Sequence, residues 1–163
     1  MIEKILSLDA LCRESEKLKK QGKKIAATSG CFDILHAGHV AYLEEARARA
    51  DALVVMLNSD ASVRGLKGTE RPIVAEAQRA AVLSGLACVD YVCVFNEATP
   101  CACYAAFKPD IVIKGGDYKG RKIPEEDTVA EYGGKVEYVD FVDGCSSTSI
   151  IEKIKKIVKG NGA

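Results

Sequence analysis

The sequence predicts an α/β fold: a doubly wound, five-stranded parallel sheet with helices on both faces. Two observations predict it. Short, nearly continuously apolar runs alternate with helix-period segments along the chain, as strands buried on both faces alternate with crossover helices. Segments rich in glycine, hydroxyls and charge follow the apolar runs, and that edge is where such sheets hold ligands.

The elements come in order. The first twenty residues read as an amphipathic helix, with Ile5, Leu8, Leu11 and Leu18 on one face, Ser7 placed to cap and Gly22 as the stop. Strand-like 24–28 leads to helical 38–50, strand-like 52–57 to helical 75–86, and strand-like 91–95 to helical 99–107. A short strand at 111–114 precedes a helix at 124–132, whose first position suits Pro124 because no N–H is needed there. A strand at 135–139, a helix at 148–158 and a frayed tail at 159–163 complete the pattern. The 163 residues suffice for one domain, with 1–22 as an N-terminal helix and 23–158 as the core.

Composition narrows the partners. Basic and acidic residues balance at 23 each, and a general polyanion binder carries a basic excess, so nucleic acid is not expected. The longest apolar runs, such as 52–57, fall far short of the roughly 20 residues that span a bilayer. Met1-Ile2-Glu3-Lys4 does not open a signal peptide, so no membrane partner is expected and the default location is cytoplasmic. The seven cysteines are odd in number, irregularly spaced and without a CxxC pair, which reads as free thiols.

Both histidines, His36 and His39, lie in the run from Ser29 to His39, between a strand and a helix start. Free N–H groups at a helix N-terminus carry roughly half a positive charge, and imidazoles beside them can hydrogen-bond phosphoryl oxygens. The pair also reads as surface residues, as helix caps or as metal ligands; zinc would need Cys31, Asp33 or Cys145 to complete its set. Asn58-Ser59-Asp60 and the cations Arg64, Lys67 and Arg71 read as a basic loop able to close over phosphates, with Gly65 and Gly68 as hinges. In Lys114-Gly115-Gly116-Asp117-Tyr118, the glycines admit close backbone approach to a ligand flanked by opposite charges. The segment from Asp143 to Ser149 brings four hydroxyls to the last helix start, more than one cap requires, and forms a second anion site.

At these residues the chain resembles the His-x-Gly-His nucleotidyltransferases, the cytidylyltransferase-like superfamily with its Rossmann-like fold. The resemblance spans about Lys23 to Ile157. It rests on Gly30-Cys31-Phe32-Asp33-Ile34-Leu35-His36-Ala37-Gly38-His39, on 58–64, Arg71-Pro72-Ile73, 89–92, 114–118 and 144–148. Lys-Gly-Gly-Asp-Tyr and Asp-Gly-Cys-Ser-Ser-Thr point to the adenylyltransferase domains of bacterial heptose biosynthesis. Ser29 stands where family members often carry asparagine, and Phe141 where the glycerol-3-phosphate cytidylyltransferase branch carries arginine.

The resemblance implies transfer of AMP from ATP to D-glycero-β-D-manno-heptose 1-phosphate, giving ADP-heptose and pyrophosphate. It implies Mg²⁺ bridging the nucleotide phosphates, no metal ligands from the protein, and a homodimer. His36, His39 and Lys67 take catalytic roles. Gly30, Cys31, Phe32, Gly38, Arg121, Gly144, Ser146, Ser147 and Thr148 bind the nucleotide. Asp33, Asn58, Asp60, Arg71, Lys114 and Asp117 contact the acceptor or base. The chain is too short to include the sugar kinase often fused to this domain, which implies the free-standing form. Rival readings are CTP with glycerol 3-phosphate, an FAD-synthase-like reaction, a non-catalytic nucleotide sensor, and a metal or thiol-redox protein.

Overall fold

Five strands run parallel in the order β3-β2-β1-β4-β5: β1 (Ile25–Gly30), β2 (Ala52–Asn58), β3 (Tyr91–Phe95), β4 (Ile111–Gly115) and β5 (Lys135–Val139). The structure, a computed structural model, describes residues 2–140 and 144–160. The helices are α1 (Leu8–Lys20), α2 (Ala37–Arg47), α3 (Asp60–Lys67), α4 (Glu76–Ser84), α5 (Cys101–Phe107), α6 (Pro124–Glu131) and α7 (Ser147–Gly160).

Strand order reverses between β1 and β4, the position where such a sheet opens a crevice. Register shows the opening. β1 pairs with β2 as far as Gly30↔Leu57 but with β4 only as far as Thr28↔Ile113. Ser29 and Gly30 therefore turn out of the β4 ladder at its carboxyl end.

All seven residues of β2 are buried, and their alternation builds both core layers. Leu53, Val55 and Leu57 pack with Leu43 and Ala46 of α2 and Leu83 of α4. Ala52, Val54 and Met56 pack with Leu11 of α1, Tyr104 and Phe107 of α5, and Val129 of α6. This two-sided burial is why the strand sequences look uniformly apolar rather than alternating.

Several expected boundaries move. The Ser7 hydroxyl accepts from the Ala10 N–H, so α1 starts at Leu8; Ile5 lies outside it and bridges Val92 at the sheet edge. The expected basic loop after β2 is largely α3. Ser59 caps it by accepting from Ser62 N at 3.1 Å, and Val63 is buried beneath it. Gly65 weakens the helix signal in the sequence but sits inside this helix and is no hinge; Gly68, at φ +92°, ends it. α2 stops at Arg47, whose guanidinium bonds the Ala50 carbonyl and Asp90, and α5 starts at Cys101 rather than Thr99. Phe141 and Asp143 of the expected motifs, and 161–163 of the expected tail, lie outside the described residues. Among the described residues no helix is long and apolar enough to cross a membrane.

Leu53 is fully buried near the start of β2. Leu53→Ala is expected to cost about 2–5 kcal/mol, the range for truncating a buried leucine, read as a lower midpoint in denaturant unfolding.

Candidate active site

The crevice holds a cleft with two lobes, of about 220 Å³ and about 440 Å³. They share Ser29, Gly30, Cys31, Lys67, Lys114 and Tyr118 as common wall. The smaller lobe adds Phe32, Asp33, His39, Tyr42, Arg71, Asp117 and Ser147. The larger lobe adds Asn58, Phe95, Thr99, Pro100, Ile123 and Glu125. Residues after β1, β2 and β4 and at the start of α7 thus meet at one sheet edge, as their positions in the sequence predict.

The loop after β1 is strained. Phe32 and Ile34 hold φ of 45° and 56°, the left-handed region that costs a side-chain-bearing residue about 1–3 kcal/mol. Between them Asp33 anchors the strain. Its carboxylate accepts from Arg71 Nε at 2.7 Å, from Ile73 N at 2.9 Å and from Val74 N at 2.9 Å. Burial pushes this carboxyl up, but the Ile73 and Val74 N–H groups and the Arg71 guanidinium outweigh it and hold it below the usual carboxylate range. The Asp33 carbonyl also accepts from the Ser147 hydroxyl at the start of α7.

His36 is the N-cap residue of α2 and makes no side-chain cap bond. Its ring stacks on His39, with centroids 3.9 Å apart and planes 21° apart. Phe32 flanks His39 at 5.2 Å. The Nδ1 atoms of both histidines are buried without a partner among the described residues. Burial lowers the His36 pKa; burial, then the His36 and Lys67 charges, lower that of His39 to about 4. At neutral pH both are uncharged imidazoles beside the free N–H groups of α2. Gly38 between them is required by space: a Cβ there would meet the Cys145 Cβ at 2.7 Å.

Charge in the cleft is mostly paired. Arg71 is neutralised by Asp33, and Lys114 bonds Glu125 at 2.7 Å. Lys67, exposed at the end of α3 and lining both lobes, forms no ion pair among the described residues. Two helix N-termini, one lysine without a counter-ion and a hydroxyl suit a polyphosphate.

A family model described as cytidylyltransferase-like matches residues 27–153. The chain belongs to the cytidylyltransferase-like family. It is a nucleotidyltransferase. Among its relatives is "Bifunctional protein HldE" of Geotalea uraniireducens (strain Rf4), 52% identical over 152 residues, covering 93% of this chain and 31% of that protein. The protein of the same name from Geobacter metallireducens is 52% identical over 151 residues, covering 93% of this chain and 31% of its own length. The chain thus spans about a third of these relatives. The lipopolysaccharide core biosynthesis protein from Thermoplasma volcanium GSS1 superposes with a TM-score of 0.63 at 31% identity, covering 74% of this chain and 98% of that one. Pantoate-beta-alanine ligase from Francisella tularensis shares the fold alone, with a TM-score of 0.58 at 14% identity over 95% of this chain and 78% of that one.

Not every expected site residue of this nucleotidyltransferase lines the cleft; His36, stacked on His39, and the buried Gly38 are outside both lobes. Asn58 lines the larger lobe, held by its amide to the Ser62 hydroxyl at 2.9 Å. Asp60 turns away to pair with Arg79 at 2.8 Å. Arg121, Gly144, Ser146 and Thr148 are exposed and outside both lobes, and Ser146 Oγ serves as a cap for Ser149 N at 3.0 Å. Sequence reasoning missed Arg79, Tyr42 and Glu125. Arg79 is 2% exposed and bonds the Cys31 carbonyl at 2.5 Å and the Val74 carbonyl at 2.8 Å, fastening α4 to the strained loop. Tyr42 reaches Thr28 at 2.7 Å and the Ile113 carbonyl at 3.0 Å, bracing β1 and β4 where they part. The only signal for Arg79 was a lone cation inside an apolar helix stripe.

The depressed His39 pKa fixes a pH dependence. Between about 4 and 6.5 the unfolded chain binds a proton that folded His39 refuses, so stability is full above 6.5 and falls as pH drops through this window. NMR titration of the nucleotide-free protein is expected to show His39 neutral at pH 6, with unfolding easier at pH 5 than at pH 7. An ordinary histidine titration would contradict the half-buried ring, whose Nδ1 has no hydrogen-bond partner among the described residues.

Proposed function

We propose that this nucleotidyltransferase moves AMP from ATP onto D-glycero-β-D-manno-heptose 1-phosphate, releasing pyrophosphate and forming ADP-heptose. The observation that carries this reading is the two-lobed cleft with Lys67 and Lys114 in the shared wall. The likeness to the HldE proteins and to a lipopolysaccharide core biosynthesis protein supports a sugar acceptor.

ATP takes the smaller lobe, its α-phosphate near the seam. The backbone of Cys31 and Phe32 lies against the nucleotide. His36, His39 and the α2 N-terminus donate to the α- and β-phosphates, and Ser147 with the α7 N-terminus to the β- and γ-phosphates. The sugar phosphate takes the larger lobe. Its phosphate oxygen attacks the α-phosphorus in line, and the bond to the bridging oxygen breaks with its electrons leaving on pyrophosphate. A phosphate monoester is already anionic at pH 7, so no strong base is needed; neutral imidazoles as donors and Lys67 as a cation suffice.

Among the described residues no group of three or more His, Cys, Asp or Glu side chains converges as a metal cage. Asp33 is engaged by Arg71, Ile73 and Val74, which leaves Asp117 as the carboxylate of the smaller lobe without a hydrogen bond among the described residues. This donor set suits a Mg²⁺ ion carried by the nucleotide phosphates and water, with Asp117 beside it. Such an ion supplies charge neutralisation on the phosphates. A homodimer working in the cytoplasm, where ATP is supplied, belongs to the same reading; sedimentation equilibrium tests the dimer.

The deciding assay is pyrophosphate release with Mg²⁺, testing ATP and CTP each against heptose 1-phosphate and glycerol 3-phosphate. Release with ATP and the heptose alone is expected; release with CTP and glycerol 3-phosphate would move the enzyme to the other branch. His39→Ala is expected to lower kcat about 10²–10³-fold at unchanged melting temperature, the cost of one preorganised donor. Normal turnover in the folded variant would take His39 out of the chemistry.

A further inference from the structure

The larger lobe contains a buried carboxylate that phosphate chemistry does not require. Glu125 is 5% exposed, second in α6 behind Pro124, and lines this lobe. Its Oε1 accepts from Lys114 Nζ at 2.7 Å. That ammonium lies 3.5 Å from Ser29 Oγ and 5.0 Å from the Tyr118 ring centroid. Lys114 is thus fixed at the seam between the lobes. A buried ion pair is a weak source of stability, since desolvating both charges offsets their attraction. A carboxylate in a wall facing an anionic acceptor is also repulsive unless it has donors to meet.

The rest of the lobe says which donors. Thr99 and Asn58 add polar groups, and Phe95, Pro100 and Ile123 add apolar faces. Alternating apolar face and polar edge is the surface of a pyranose. A carboxylate has about four acceptor sites, and Lys114 occupies one oxygen of Glu125, so Oε2 remains to accept sugar hydroxyls. The N-terminus of α6 favours the charge where it stands.

We propose that Glu125 is a specificity-determining residue, accepting hydroxyls of the acceptor sugar while it holds Lys114 for that sugar's phosphate. This rests on the sugar 1-phosphate reading above. A phosphorylated acceptor with no hydroxyl in reach meets an uncompensated carboxylate and is rejected; a polyhydroxylated one is held. Rejection by an unpaired buried group is the stronger kind of discrimination.

The test is steady-state kinetics of wild-type enzyme and Glu125→Gln with ATP and the heptose 1-phosphate, repeated with singly deoxygenated forms of the sugar. Glu125→Gln is expected to raise the acceptor KM about 10–100-fold, with the KM for ATP moving less than about threefold. One deoxy acceptor should lose heavily against wild type and lose nothing further against the variant, the coupling that a direct contact produces. An unchanged acceptor KM in the folded variant overturns the proposal. So does an equal loss for ATP and for every acceptor, which would make Glu125 only the partner of Lys114. If Glu125→Gln does not fold, Glu125→Asp, which keeps the charge and shortens its reach, is expected to show the same selective loss in smaller measure. A wild-type enzyme that uses no sugar 1-phosphate, but another acceptor, sinks the functional reading itself, and that arm is separate from the variants.

Discussion

Asp33 joins three chain segments at the edge of the cleft. It sits in the turn after β1, receives Arg71 and two backbone N–H groups from the loop after α3, and through its own carbonyl receives Ser147 of α7. With so many donors the carboxylate stays ionised well into acid, so the clamp does not release in the physiological range. The left-handed backbone at Phe32 and Ile34 is affordable because these bonds over-determine the loop between them. Arg79 adds a second fastening from α4 onto the Cys31 carbonyl. The result is a rigid edge that aims the α2 and α7 N-termini into one lobe without a ligand having to order it.

That rigidity explains the electrostatics. A phosphate site with many free cations would bind polyanions indiscriminately. Here Arg71 and Lys114 are each matched to a carboxylate, and Lys67 is left without an ion pair among the described residues. Burial holds both histidines neutral, and at His39 the His36 and Lys67 charges add to it. Attraction therefore comes from fixed dipoles at short range, which respond strongly to charge placed between them and weakly to charge elsewhere. The balanced composition of the chain, 23 basic and 23 acidic residues, fits the same economy.

The sheet was legible because β2 is buried along its whole length, and β1 and β3 along most of theirs, so both faces read as apolar. The site was legible where function sits in local sequence, as in the run from Gly30 to His39, because a strand, a turn and a helix start carry their geometry with them. α3 was not legible: Gly65 lowers its propensity, and the burial of Val63 that rescues it is tertiary. Asp33 looked like a substrate contact because its partners lie some forty residues downstream. Glu125 looked like ordinary first-turn acid on a helix, since only the fold brings it under Lys114.

The two lobes also follow from the strand order. β1 stands at the switch point, with β2 on one side and β4 on the other. Its last residues, Ser29 and Gly30, stand between the lobes because they leave β4 while still paired to β2. Lys114, next to last in β4, and Lys67, ending α3, flank that point. An in-line displacement needs an attacking group and a leaving group on opposite sides of one phosphorus. A parallel sheet with its switch point at β1 supplies this arrangement directly, with a lobe on each side of one strand end and two lysines in the shared wall.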